Sequence, residues 1–130
     1  MVSIVVIDDD EDLRDLMELR LKASGYDVHP AGDGLMGLEL IRWRRPDLVV
    51  VDWTMPRMDG IAMCREMRND PALAEIPVLM VSARTTAADR RVSMAAGCTA
   101  LLPKPFSLSR LADTVRSLLD KDEPLVGCRC

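Results

Sequence analysis

Short apolar runs alternate along the chain with stretches whose apolar positions recur every three or four residues. Ser3–Ile7 is continuous, apolar and rich in β-branched side chains, which predicts a buried strand. Leu13, Leu16, Met17 and Leu21 then fall at helical spacing and stop near Gly25. Tyr26–Pro30 is a second short strand. Leu35, Leu38 and Ile41 mark a helix ending before Pro46, and Asp47–Val51 is a strongly apolar third strand. Ile61, Cys64 and Met67 predict a third helix, closed by the turn-forming Asn69-Asp70-Pro71. Pro77–Val81 is a fourth strand, Thr86–Ala96 a helix closed by Gly97, and Ala100–Leu102 a fifth strand. Ser107 caps a last helix running to Leu119. Residues 1–120 thus form one domain, and residues 121–130, without periodicity, read as a tail.

Strands that are apolar throughout and separated by helices imply a parallel sheet covered on both faces. The fold expected is α/β, a doubly wound, flavodoxin-like sheet of five strands in the order 2-1-3-4-5 with five helices. Such sheets bind ligands at the carboxyl ends of their strands, near the switch point between strands 1 and 3. The residues just past each strand are therefore the first candidates for chemistry.

Strand 1 runs into five consecutive acids, Asp8, Asp9, Asp10, Glu11 and Asp12. Two carboxylates about 4 Å apart repel by roughly 4 kcal/mol at an effective dielectric of 20, so something must offset the crowding. Asp10, Glu11 and Asp12 suit the first turn of a helix, where negative charge opposes the macrodipole. Asp8 and Asp9 are left for a site. Asp52 comes after strand 3, Ser82 after strand 4 and Lys104 after strand 5. Neighbouring carboxylates are hard oxygen ligands for Mg²⁺. A lysine and a hydroxyl suit a phosphoryl group, which a carboxylate nucleophile can accept as an aspartyl phosphate. Asp52, alone on the central strand, is the best nucleophile.

Composition narrows the field. With 17 basic against 21 acidic residues and 3% aromatics, non-specific nucleic-acid binding and base stacking are both disfavoured. No apolar run approaches the roughly 20 residues a membrane-spanning helix needs, and the N-terminus lacks a signal peptide's basic region and cleavage site. A soluble cytoplasmic protein without membrane partners is expected. Cys64 and Cys98 fall inside elements, as small core residues do. Cys128 and Cys130 form a terminal C-x-C, far in sequence from the single histidine, His29, and so make a poor metal site.

From Val2 to Leu119 the chain closely resembles the receiver domain of two-component response regulators. The resemblance rests on IVVIDDD, DLVVVDWTMPRMDG, VLMVSA and PKPF in that order. It implies that Asp52 accepts phosphate from the phosphohistidine of a histidine kinase or phosphotransfer protein. It further implies that Asp9 binds Mg²⁺ (or Mn²⁺) directly, that Asp8 binds mainly through water, and that the Thr54 backbone carbonyl completes the site with Asp52. Ser82 is similar to the switch hydroxyl and Lys104 to the phosphate-binding lysine, with the Lys104-Pro105 bond expected cis. Gly60 matches the glycine that lets the loop turn into helix 3. Arg84 lies where the family borders the site entrance, suggesting control of water access.

The resemblance also implies a switch rather than an enzyme, acting through helix 4, strand 5 and helix 5 on a downstream protein or an output domain. Direct nucleic-acid binding by this chain is not expected, and a phosphorylation-dependent homodimer is one form the output could take. One position departs from the pattern: Leu101 stands where the family often carries a switching Tyr or Phe. Two other classes compete. Asp8-Asp9-Asp10 also fits the D-x-D nucleophile of haloacid-dehalogenase-type hydrolases, against which stand Asp12 and the lack of room for a cap. A phosphorylation-independent adaptor on the same fold is the other, favoured only by Leu101.

Overall fold

The computed structural model describes residues 1–120; the predicted tail, with Cys128 and Cys130, lies outside the described residues. In chain order the elements are β1 (Ser3–Ile7), α1 (Glu11–Ala23), β2 (Asp27–Ala31), α2 (Gly34–Arg44), β3 (Leu48–Asp52), α3 (Gly60–Asn69), β4 (Val78–Ser82), α4 (Ala87–Ala95), β5 (Ala100–Pro103) and α5 (Leu108–Leu119). The strands form one sheet, ordered β2-β1-β3-β4-β5, and every pairing is parallel. The expected doubly wound order is thus the one observed.

Alternation along the strands divides the core in two. Val5, Ile7, Val49, Val51 and Met80 meet Leu38, Ile41, Met63 and Met67 of α2 and α3 on one face. Ile4, Val6, Val50, Leu79 and Val81 meet Met17, Leu21, Leu111 and Val115 of α1 and α5 on the other. Every residue of β3 and β4 is buried, which is why these runs read as apolar without alternation. Of α4, only Ser93 is buried.

Each helix starts on a polar side chain that accepts a backbone N–H: Asp10, Asp33, Asp59, Thr86 and Ser107. Thr86 and Asp89 form a reciprocal capping box. Asp10 therefore caps α1, with Glu11 and Asp12 in the first turn, in agreement with the charge pattern. The loop before β4 is packed by the buried Leu73 and held by Arg68, which donates to the carbonyls of Ala74, Ile76 and Gly97.

The boundaries shift in one direction. Strands 2 to 5 all end one residue later than their apolar runs, so Asp52 and Ser82 are the last residues of β3 and β4. The ladder causes this, because Asp52 still pairs with Val81, and Ser82 with Pro103. Two helix positions are corrected as well. Leu16 and Leu35, placed on the inner faces by spacing, are exposed at 48% and 42%. Spacing fixes an angle around the helix, whereas the breadth of the buried stripe depends on how the helix sits on the sheet. Met17→Ala should accordingly cost about 2–5 kcal/mol. Leu16→Ala should stay within about 0.5 kcal/mol of wild type, both read from urea midpoints.

Candidate phosphoacceptor site

Because the strands are parallel, their carboxyl ends share one edge, and residues 8, 52, 82 and 104 converge there. Asp8, just after β1, is fully buried, while Asp9 beside it is exposed. Oxygen atoms of Asp8, Asp9 and Asp52 lie within 4.8 Å of one another, close enough to hold one cation. Lys104, at the start of the loop after β5, extends Nζ to 3.4 Å from Asp8 Oδ2 and 3.3 Å from Asp52 Oδ2. One ammonium therefore serves two buried carboxylates, and three negative charges face one positive.

Backbone contacts hold these groups in place. Asp8 Oδ1 accepts the Asp10 N–H at 2.9 Å, and Arg14 donates to the Asp8 carbonyl at 2.9 Å. The Lys104 N–H donates to the Ser82 carbonyl at 2.8 Å, which ties the lysine's loop to the end of β4. The Lys104-Pro105 bond is cis, as expected. Ser82 Oγ is buried and accepts the Arg84 N–H at 2.8 Å. Gly60 is needed for room: a Cβ there would stand 2.5 Å from the Asp52 carbonyl oxygen. Thr54 is exposed in the β3–α3 loop, two residues past Asp52. Leu101 sits on β5, half-buried and paired with Met80.

Several partners escaped the sequence reading. The Arg84 guanidinium lies over the Trp53 ring, 4.6 Å from its centroid, and 3.7 Å from Asp89. That contact joins the loop after β4 to the residue following Asp52, a cation–π link that no spacing within the chain could reveal. Arg57 takes a left-handed conformation (φ 73°) and lies 3.7 Å from Asp33. Gly34 allows α2 to touch the same loop, since a Cβ there would meet the Met58 carbonyl at 2.0 Å. Cys64 and Cys98, read separately as core residues, are in contact, Sγ to Sγ at 3.6 Å. His29 pairs with Asp27 at 3.0 Å, away from these acids.

The electrostatics follow from burial. Loss of solvent raises the carboxyl pKa of Asp8 above its ordinary value, against the opposing pull of the Asp10 N–H and Lys104. Burial, and then the charge of Asp8, does the same to Asp52. Each binds a proton more readily in the folded than in the unfolded chain. This contribution therefore favours folding below the unfolded carboxyl pKa and is lost as pH rises through the folded one. In metal-free buffer at pH 7.5, Asp52→Asn should raise Tm by about 2–5 °C. Lys104 keeps Asp8 as its partner, so no cation is orphaned. The gain should shrink as pH falls towards 4, in circular-dichroism melts at both ends. A lower Tm for the variant at pH 7.5 would contradict this balance.

The chain matches the response regulator receiver domain family over residues 4–116. It is 40% identical over 126 residues to the response regulator MprA of Mycobacterium sp. (strain KMS), covering 97% of this chain and 54% of that protein. The MprA of Mycobacterium tuberculosis (strain ATCC 25177 / H37Ra) is 38% identical over 123 residues, covering 95% and 53%. The chain thus spans about half the length of these curated relatives. Among solved structures, the receiver domain of the Francisella response regulator 1452 superimposes with a TM-score of 0.86 at 29% identity, covering 93% of this chain and 98% of that one. The chemotaxis response regulator CheY4 of Vibrio cholerae gives 0.87 at 28%, covering 91% and 98%. With the strand order, the acid cluster and this family match in agreement, the chain belongs to the response regulator receiver domain family, the receiving module of two-component signalling.

Proposed function

We propose that Asp52 accepts a phosphoryl group from the phosphohistidine of a cytoplasmic histidine kinase or phosphotransfer protein, and that the aspartyl phosphate switches a protein-binding face. The observation that carries this reading is the ammonium of Lys104 shared between two carboxylates of unequal access. Asp8 has no exposed surface, and both its oxygens are engaged. The Asp52 side chain is 12% exposed and, among the described residues, only Oδ2 is engaged, so Oδ1 is the available nucleophile. That difference also disfavours the hydrolase reading, which needs the nucleophile after β1.

The residues present fit a divalent ion: three carboxylates crowd together with a single ammonium to offset them. Asp9, Asp52 and the Thr54 carbonyl would hold Mg²⁺ or Mn²⁺ directly, and Asp8 through water. When bound, the ion supplies positive charge against the carboxylates and the phosphoryl oxygens. In the transfer, Asp52 Oδ1 forms a bond to phosphorus as the donor's nitrogen–phosphorus bond breaks. The leaving imidazole nitrogen keeps the electron pair and takes a proton from water. Lys104 Nζ, already beside Asp52, donates to a phosphoryl oxygen and so stabilises charge where it builds up.

Switching follows from Ser82. Its hydroxyl now accepts the Arg84 N–H, and it turns to donate to the new phosphoryl group. The loop after β4 moves with it, and so does α4. The gain in binding the phosphoryl group sets how far the population shifts. Val92 and Met94 of α4 are exposed at 42% and 58%, apolar contacts ready for a partner. Since Leu101 has no ring to rotate, the face reads out through loop and helix displacement. Its target is a downstream protein, an output domain of the kind that relatives of twice this length have room for, or a second receiver.

Two measurements test the proposal. Incubation with Mg²⁺ and acetyl phosphate should add one phosphoryl mass to the intact protein, absent in Asp52→Asn and strongly slowed in Lys104→Ala. An unmodified wild type, or a modified Asp52→Asn, would overturn it. Mg²⁺ should also raise the Tm of the wild type saturably, by mass action on the folded state. Asp9→Asn should lose most of that increase, and chelation should reverse it.

A further inference from the structure

Helix α2 packs on the sheet through Leu38 and Ile41, yet its outer side is not polar. Met36, Leu40 and Trp43 are spaced by four and then three residues, which places them on one stripe. Met36 is 52% exposed and Trp43 81%. With Pro30 and Ala31 of the edge strand β2, and with Glu39, they line a groove of about 440 Å³. An indole left almost wholly in water gains nothing from folding.

The same segment is basic: Arg42-Trp43-Arg44-Arg45. Arg42 reaches Glu66 and Asp70 only loosely, at 3.8 and 3.9 Å. Arg44 and Arg45 are exposed and form no ion pair among the described residues. Basic groups at a helix C-terminus favour the macrodipole, which accounts for the charges but not for the tryptophan between them. Tryptophan and arginine together are the residue types that dominate interface hot spots.

We propose that this groove docks an acidic amphipathic helix of a partner protein. Its apolar anchors seat against Met36, Leu40 and Trp43, and its carboxylates face Arg44 and Arg45. Charge complementarity selects this occupant: Arg44 and Arg45 are exposed at the C-terminal end of the stripe, and the one charged residue on the groove's lining, Glu39, leaves the partner's acids to that end. Strand addition to β2 is interrupted because Pro30 has no N–H to offer. A two-fold contact between copies would set one arginine cluster beside its twin. Nucleic acid and anionic lipid are opposed by a chain of net charge −4. The dock lies at the β2 edge, opposite β5, so it leaves the α4–β5 face free. It stands independently of the phosphoacceptor chemistry.

The test is selection of the described domain, within the full chain, against a displayed library of random helical peptides of about 18 residues, some 27 Å long. Binders should be enriched in acids and should carry apolar residues at i, i+4 and i+7. A synthetic representative should shift Trp43 emission to the blue and protect it from acrylamide, Trp53 being buried already. Trp43→Ala and Arg44→Glu should each weaken binding about tenfold or more. Both side chains are exposed, so unchanged thermal unfolding would separate lost contact from lost fold. The proposal is overturned by an absence of enriched peptides, by enrichment of basic ones, or by affinity indifferent to both substitutions. Protection of Trp43 by self-association or by phosphatidylserine vesicles, without peptide binding, would equally overturn it.

Discussion

The ammonium of Lys104 sits 3.4 Å from one buried carboxylate and 3.3 Å from another, and the geometry around it follows from that sharing. Two carboxylates stripped of water repel each other and lose hydration, so neither can stay buried and ionised without a cation within reach. The cation comes from a loop beyond the edge strand β5, while the acids end β1 and β3 near the middle of the sheet. A lysine spans that gap where a shorter side chain would not. Its loop in turn needs the bond from the Lys104 N–H to the Ser82 carbonyl. Even so, with Asp9 beside them the carboxylates outnumber the ammonium, the deficit that the proposed divalent ion would offset.

Ser82 connects this charge cluster to the surface. Its carbonyl anchors the lysine's loop, while its hydroxyl holds the first turn of the chain towards α4. Arg84, stacked on Trp53 and near Asp89, links that turn to the residue after Asp52. A change at Asp52 therefore meets the loop after β4 through both its neighbours. Helix α4, with Ser93 its only buried residue, is the least packed of the five helices. By contrast, α1, α3 and α5 each bury two or more residues. In the proposed switch, this sparse packing is what would let a local charge event displace α4.

Much of the fold was legible because parallel, doubly covered strands leave strong local traces. Apolar runs such as Asp47–Val51 and Pro77–Val81 stood out, as did Ser107 as the N-cap of the last helix. The candidate site was legible for a similar reason: one topological rule sends its residues to the strand ends, and Asp8, Asp52, Ser82 and Lys104 were found there. Less could be read where a residue's fate depends on distant neighbours. Leu16 and Leu35 had helical spacing but lie outside the buried stripe. Cys64 and Cys98 looked like unrelated core residues and turned out to touch.

The order of hydrophobic and polar residues by itself determined the element sequence, the parallel sheet and the short list of groups at its carboxyl edge. Those features depend on periodicity, caps and chain direction, all of which are local. Only the tertiary structure decided that Asp8 is sealed while the Asp52 side chain keeps some exposure, that one ammonium serves both, and that Arg84 stacks on Trp53. It also decided that Trp43 stays in water between arginines, at the end of a helix whose other face is core. Burial, charge sharing and stacking are set by which surfaces meet across the sheet, and a linear pattern carries no distance between residues so far apart.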